Sequence, residues 1–219
     1  PATTNASLMA RRRAALPTGL GQTYEVFAER ADNAELWDVE GKRYIDFAAA
    51  NGIPHVLVEG WNVGWDGDWF NNGDLFSFTE AYPDYDIRGL SKYAAAKGVQ
   101  LIVHHETSAN LTNYEKQLEA GLDLVKKIGS HYVKSGYVSD AGDAVWVDDK
   151  GIRHYEYYDS QRMIDHHMKV IRAAAARQIA MDTHEPVKDT GLRRTYPNWM
   201  SREGARGMEF NAWGSPPNP

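Results

Sequence analysis

Apolar positions along the chain follow two different spacings in turn. His55-Val-Leu-Val-Glu59, Val99-Gln-Leu-Ile-Val103, His131-Tyr-Val-Lys134 and Ile179-Ala-Met-Asp182 are short continuous apolar runs, the pattern of parallel strands buried on both faces. Between them the apolar residues recur every three or four positions. Asp86 caps a helix that carries Ile87, Leu90, Tyr93 and Ala94 along one face and ends at Gly98. Thr112 or Asn113 caps a second, whose stripe is Tyr114, Leu118, Leu122 and Val125, with Gly129 as its stop. A third spans about Ser160 to Arg177 and turns Met163, His167, Val170, Ile171 and Ala174 inward. Upstream, Glu35-Leu-Trp-Asp38 and Tyr44-Ile-Asp-Phe47 flank Glu40-Gly-Lys42 and predict a small hairpin. Residues 61–72, rich in Trp, Gly, Asp and Asn, and residues 139–151, rich in acids and glycine, read as loops.

Strands alternating with helices in this way predict an α/β fold with a parallel sheet and right-handed crossovers. Glu59, Glu106, Lys134 and Glu185 all fall at the C-terminal ends of strands, the rim that carries the chemistry in a (β/α)8 barrel. An open doubly wound sheet would alternate identically, but no glycine-rich phosphate loop follows the first strand.

Composition narrows the function. With 219 residues the chain can form one large domain or two small ones, and 42% hydrophobic with 25% charged residues is the balance of a globular protein. A net charge of -6 offers no basic field for nucleic acid. No apolar run of about 18 residues is present to cross a membrane. The one sharp basic cluster, Arg11-Arg-Arg13, precedes a segment too short and broken for the core of a signal peptide. The absence of cysteine excludes disulfides and thiolate metal sites. Seven Trp and twelve Tyr, many beside glycine and acids, suit stacking on sugar faces as well as core packing.

The chemistry concentrates between Met181 and Gly214, where Glu185, Glu203 and Glu209 are candidates for one site. Clustered carboxylates are costly unless paired, protonated or bound to metal. A single glutamate in a loop is ordinarily a solvated charge, but acids at strand ends recur upstream. His104-His105-Glu106 is not a zinc motif, because adjacent imidazoles on a strand diverge and His105 faces away from His104.

From about His55 to Asn218 the chain resembles the catalytic barrel of glycoside hydrolase family 97, the calcium-dependent α-glucosidases and related α-galactosidases. The motifs are Val58-Glu-Gly-Trp-Asn-Val-Gly-Trp65, His104-His-Glu-Thr-Ser108, Val133-Lys-Ser-Gly-Tyr137, Thr183-His-Glu-Pro186, Thr190-Gly-Leu-Arg-Arg-Thr-Tyr-Pro-Asn198 and Glu203-Gly-Ala-Arg-Gly-Met-Glu209. Six blocks in order make the match specific. The resemblance implies that Glu209 is the general acid, that Glu106 and Glu185 hold and activate the attacking water, and that Glu185, Glu203 and Glu209 ligate Ca2+. It makes His104, His184, Trp61 and Arg206 candidates for contacts to substrate. Arg193 and Arg194 could orient carboxylates or hydroxyls, and Trp65 and Trp69 could stack on sugar. Retaining members carry an aspartate nucleophile where this chain has Gly136, so the resemblance points to the inverting α-glucosidase branch. Inversion requires an acid on one side of the sugar and a carboxylate acting on water on the other, roughly 6.5 to 9.5 Å apart. Calcium prefers oxygen ligands, which carboxylates supply.

Residues 7–52 resemble instead the N-terminal segment of class III aminotransferases of the 4-aminobutyrate type. Leu16-Pro-Thr-Gly-Leu-Gly-Gln22 and Leu36-Trp-Asp-Val-Glu-Gly41 carry that likeness. It brings no catalytic residue. The chain therefore reads as chimeric: residues 1–52 an aminotransferase-like segment, residues 53–219 an incomplete (β/α)8 TIM-type barrel of about strands 2–6. The expected function is inverting, calcium-assisted hydrolysis of α-glucosidic bonds in oligosaccharides. The alternatives are an inactive fragment, a non-catalytic carbohydrate- or calcium-binding remnant, or an aminotransferase-related protein. Expected partners are an α-linked glucose oligosaccharide and a second copy meeting an unclosed barrel edge, with no nucleic acid and no membrane. The resemblance implies a bacterial periplasmic or secreted protein, although this chain shows no signal peptide.

Overall fold

The computed structural model describes residues 4, 6–8, 10, 28–32, 35–38, 44–83, 85–138, 142–205, 207–208 and 210–213. Strands β1 (Ala28–Asp32) and β2 (Glu35–Asp38) form an antiparallel pair. The expected hairpin is thus displaced: Glu35–Asp38 is its second arm, and Tyr44–Ala50 is helix α1, with Ile45 and Ala48 buried. Four residues cannot separate a period of two from one of 3.6, and the following alanines favour helix.

A five-stranded parallel sheet organises the rest, in the order β3 (His55–Val58), β4 (Gln100–Glu106), β5 (Tyr132–Gly136), β8 (Ala180–His184), β9 (Trp199–Glu203). Helices α2 (Ile87–Ala96), α3 (Leu111–Lys127) and α4 (Gln161–Ala175) make the first three crossovers. The barrel is partial, since among the described residues β3 and β9 are paired on one side only. β3 is accordingly not buried on both faces: Leu57 is 39% exposed. β9 was not distinguished in the sequence as a separate strand; only a one-turn 3-10 helix (Leu192–Arg194) lies between it and β8.

The helices begin and end where their side chains satisfy the free backbone groups. Asp86 accepts from Gly89 N at 2.9 Å and Ser160 from Met163 N at 3.3 Å. Helix α3 is capped by Asn110, not by Thr112 or Asn113. Asn110 Oδ1 accepts from Asn113 N at 3.0 Å, while the Asn113 amide donates to the carbonyls of Gly73 and Phe76. Gly98 and Gly129 take positive φ at the helix ends, as their positions predict. The acidic loop of residues 139–151 needs a larger correction. It contains strand β6 (Ala144–Val147), which pairs antiparallel with β7 (Arg153–Glu156). Asp148 makes the turn by accepting from Lys150 N and Ile152 N, and Val145 N donates to Ala109 O, joining the hairpin to the end of β4. The main core lies between sheet and helices, built from Val103, Val133 and Met181 against Tyr114, Leu118 and Ile171.

Candidate active site

Parallel register sets every second residue of the strands on one face. His104, Lys134, Asp182 and Ser201 are successive partners across β4, β5, β8 and β9. Two residues nearer the strand ends, Glu106 lies beside Gly136, and His184 beside Glu203. The alternate residues face the helices. His105 Nδ1 lies 3.1 Å from the Tyr114 hydroxyl, and Thr183 Oγ1 accepts from Trp199 Nε1 at 3.0 Å. The divergence expected of His104 and His105 is what the strand produces.

Glu106 is buried and held from one side. Its Oε1 accepts three backbone N–H groups, from Thr107 at 3.0 Å, Ser108 at 2.8 Å and Val138 at 3.1 Å. Its Oε2 lies over Gly136, so close that a Cβ built there would stand 2.1 Å from it, and His104 Nε2 is 3.7 Å away. One oxygen is therefore saturated and the other is presented to the rim. Burial pushes the carboxyl up to about 7 against those N–H donors, and the charge of Glu185 adds to the rise. Ser108 and Ala109, which follow, have φ of 43° and 52°, a costly backbone for residues with side chains, directly after two of the amides that hold Glu106.

Glu185 follows β8 with φ 46°, in the same left-handed region. Its N–H donates to Glu203 O at 3.0 Å, and its Oε2 accepts from Tyr137 N at 2.8 Å. Burial raises its pKa, and the neighbouring Glu203 carboxylate adds to the effect. His184 lies between Asp182, 3.3 Å from Nε2, and Glu203, 3.5 Å from Nδ1. Burial opposes its charge, yet the hydrogen bond to Asp182 raises the imidazole above its ordinary value. His104, by contrast, is pushed down to about 3 by burial, with the charge of Lys134 adding to it, and is neutral.

The structure thus brings Glu106, Glu185, Glu203, His104 and His184 to one rim. Trp61 is not presented there: it is 1% exposed, and its indole donates to His104 O at 2.7 Å, supporting β4 from behind. Trp65 packs tilted against the His104 ring, 5.5 Å between centroids, and against Trp69 at 5.1 Å. Glu209 and Arg206 lie outside the described residues. Sequence reasoning placed Glu59 and Lys134 on the rim without a role of their own and gave none to Asp182; the three form the row beneath, where Lys134 Nζ is paired with Glu59, and Asp182 accepts from Ser201 at 2.6 Å. Period-two counting back from Glu106, Gly136 and His184 could have placed His104, Lys134 and Asp182 together.

The arrangement fits a hard cation. One donor atom each from His184, Glu185 and Glu203 lies within 4.8 Å of the other two. Two of these are carboxylates, the donor type that calcium takes. The imidazole is the exception, and it is engaged by Asp182 and Glu203 instead.

The family model of glycoside hydrolase 97 matches residues 22–205. A family 97 enzyme from Pseudoalteromonas sp. strain K8, solved in complex with acarbose and as a variant with panose, superposes with a TM-score of 0.78 at 57% and 56% identity, covering 80% of this chain and 27% of that one. The retaining alpha-galactosidase of Bacteroides thetaiotaomicron is 30% identical over 176 residues, 80% of this chain and 22% of its own length. A 45-residue stretch is 62% identical to the 5-aminovalerate aminotransferase DavT of Pseudomonas aeruginosa, 20% of this chain and 11% of that protein. The chain spans about a quarter of the length of the glycosidases it matches.

Proposed function

Because the chain belongs to glycoside hydrolase family 97, we propose that its site serves the hydrolysis of α-glucosidic bonds in oligosaccharides, with inversion at the anomeric carbon and with calcium bound. The observation that carries this reading is the contact of Glu106 with Gly136. A residue without a side chain supplies no nucleophile, and the Glu106 carboxylate fills the space where one would project. Water is then the group that attacks. The Glu106 carboxyl, its pKa raised to about 7 and its Oε2 without a backbone donor among the described residues, is suited to take its proton, with Glu185 alongside. Direct attack by water inverts configuration, whereas a carboxylate nucleophile would retain it. In this the chain departs from its relative named as retaining.

Glu209 is assigned the protonation of the departing oxygen. Glu185, Glu203 and Glu209 would hold calcium, which when bound supplies positive charge beside the acid and fixes carboxylate orientation. His104 and His184, on either side of the Glu106 and Glu185 carboxylates, are assigned to sugar hydroxyls. Substrate preference for α-linked glucose is supported by the panose complex of the Pseudoalteromonas enzyme, panose being an α-linked glucose trisaccharide. The test is a proton NMR time course of the chain with maltose and calcium. Glucose from the cleaved, non-reducing unit is expected as the β-anomer, in excess of the anomeric mixture that the reducing unit brings; an early excess of α-glucose would refute inversion, and no release of glucose would refute hydrolysis by this chain.

A further inference from the structure

Tyr137 links the two site glutamates to a charged cluster on the opposite face of the sheet. It directly follows β5, and the peptide units from 136 to 138 hold both acids. Tyr137 N–H donates to Glu185 Oε2 at 2.8 Å and Val138 N–H to Glu106 Oε1 at 3.1 Å. The Gly136 carbonyl accepts from Thr107 Oγ1 at 2.8 Å, and the Tyr137 carbonyl from the Tyr158 hydroxyl at 2.8 Å. The side chain of Tyr137 points the other way and is wholly buried. Its hydroxyl lies 2.9 Å from His166 Nε2, and His166 Nδ1 lies 2.7 Å from Glu115 Oε1. Glu115 also accepts from Arg162 at 2.8 Å and Lys169 at 2.9 Å.

The proton positions follow from the partners. An ionised carboxylate only accepts, so Nδ1 of His166 carries the hydrogen. Burial lowers the pKa of the ring, against the hydrogen bond and charge of Glu115; in the neutral ring Nε2 is an acceptor and the Tyr137 hydroxyl is the donor. Each group in the series has one role, and the series ends on a carboxylate fixed by two cations. The ring of Tyr137 alone would fill its pocket, where it packs edge-on to His166 and His167 at 5.3 and 5.0 Å. The hydroxyl adds a fixed direction, which packing does not.

We propose that Tyr137 is a positioning residue: its hydroxyl, anchored through His166 to Glu115, sets the peptide N–H groups at which Glu106 and Glu185 are held. This rests on the reading of those two acids given above. The expected scale is that of a catalytic group displaced by a fraction of an ångström to one ångström, about 10- to 100-fold in rate.

The experiment uses the full chain and three forms: unaltered, Tyr137→Phe, and Tyr114→Phe as a matched control. Tyr114 is an equally buried phenol whose hydroxyl lies 3.1 Å from His105 Nδ1 and whose ring meets those of Tyr137 and His166 at 6.4 and 5.9 Å, so phenylalanine there keeps the ring packing and removes only a hydroxyl outside the series. The readouts are the Val138 amide resonance in the 15N–1H spectrum, thermal midpoint, and kcat and KM on maltose with calcium. Tyr137→Phe is expected to move the Val138 amide and to lower kcat about 10- to 100-fold with KM within about twofold, while Tyr114→Phe lowers only the thermal midpoint. A Val138 amide unmoved by Tyr137→Phe, or moved as far by Tyr114→Phe, would overturn the proposal. If the unaltered chain releases no glucose, the hydrolytic reading fails by itself, and the amide resonance still decides whether the hydroxyl positions the segment.

Discussion

Glu106 shows how a single carboxylate acquires a role from its surroundings. Three N–H groups saturate one oxygen, burial raises its affinity for a proton, and Gly136 leaves room for the other oxygen. Replacing Glu106 by Gln keeps its shape and removes the base, so hydrolysis of maltose is expected to fall about 10²- to 10⁴-fold in kcat with little change in thermal midpoint. Gly136→Ala puts a Cβ into the Glu106 carboxylate and should cost at least tenfold in the same assay, without a charge having changed. Buried histidines set the acid limit. His105, His166 and His167 all have pKa values lowered by burial, His105 to about 3. A base whose folded pKa lies below its unfolded value near 6.5 contributes stability above 6.5 that is lost as the pH falls towards the folded value. The thermal midpoint should therefore decline from pH 7 to pH 5, and His105→Gln should flatten that decline. At this scale the site acids were legible because they recur at strand ends in family motifs. The burial of Trp61 was not, since a tryptophan beside glycine looks the same whether its indole meets a sugar or the His104 carbonyl.

Among the elements, the helix stripes were read correctly because seventeen or fifteen residues repeat the same period several times. Short elements were not. Tyr44–Phe47 passed for a strand though it opens helix α1, and β6 lay hidden in a stretch read as loop because acids and glycines flank it, Gly142 and Asp143 before and Asp148, Asp149 and Gly151 after; β7, just beyond, was not read as a strand. The cap of α3 was misplaced for a chemical reason: Asn110, Thr112 and Asn113 are all suitable types, and only tertiary contacts choose among them. Asn110 also donates to Asp74 at 2.8 Å, and Asp74 accepts from Arg153 on β7 at 2.6 Å. The cap thereby ties α3, the tryptophan-rich loop and the β6–β7 hairpin together. Asn110→Ala is expected to cost about 2 kcal/mol in urea unfolding, the upper end for a cap, because two contacts are lost at once.

For the whole molecule, alternation of strand and helix was enough to foresee a parallel sheet with its acids on one rim. Closure is a property of strands acting together, and no local pattern records it. Among the described residues β9 carries Met200 at 59% exposure on a strand paired only to β8. We propose that this edge meets a second copy of the chain, since unpaired backbone groups beside apolar side chains favour further pairing. Light scattering on a size-exclusion column is expected to show an oligomer, shifted towards monomer by Met200→Lys; a monomer throughout would refute it. Calcium, held as proposed by Glu185, Glu203 and Glu209, should raise the thermal midpoint, and chelation should reverse the gain, with a stabilisation of about 2.7 kcal/mol when free calcium is a hundredfold above its Kd.

The contact between Glu106 and Gly136 also bears on how such a site can change over time. The two positions compete for one volume, so a carboxylate at 136 and the glutamate at 106 are mutually exclusive as the side chains now stand. On the function proposed above, exchanging one stereochemical outcome for the other therefore involves both positions. A side chain added at 136 crowds the Glu106 carboxylate until that carboxylate moves aside, and removing Glu106 first leaves Glu185 as the acid beside the water. The two positions are then linked by the space they share, so that a change at one is felt at the other before any charge has changed.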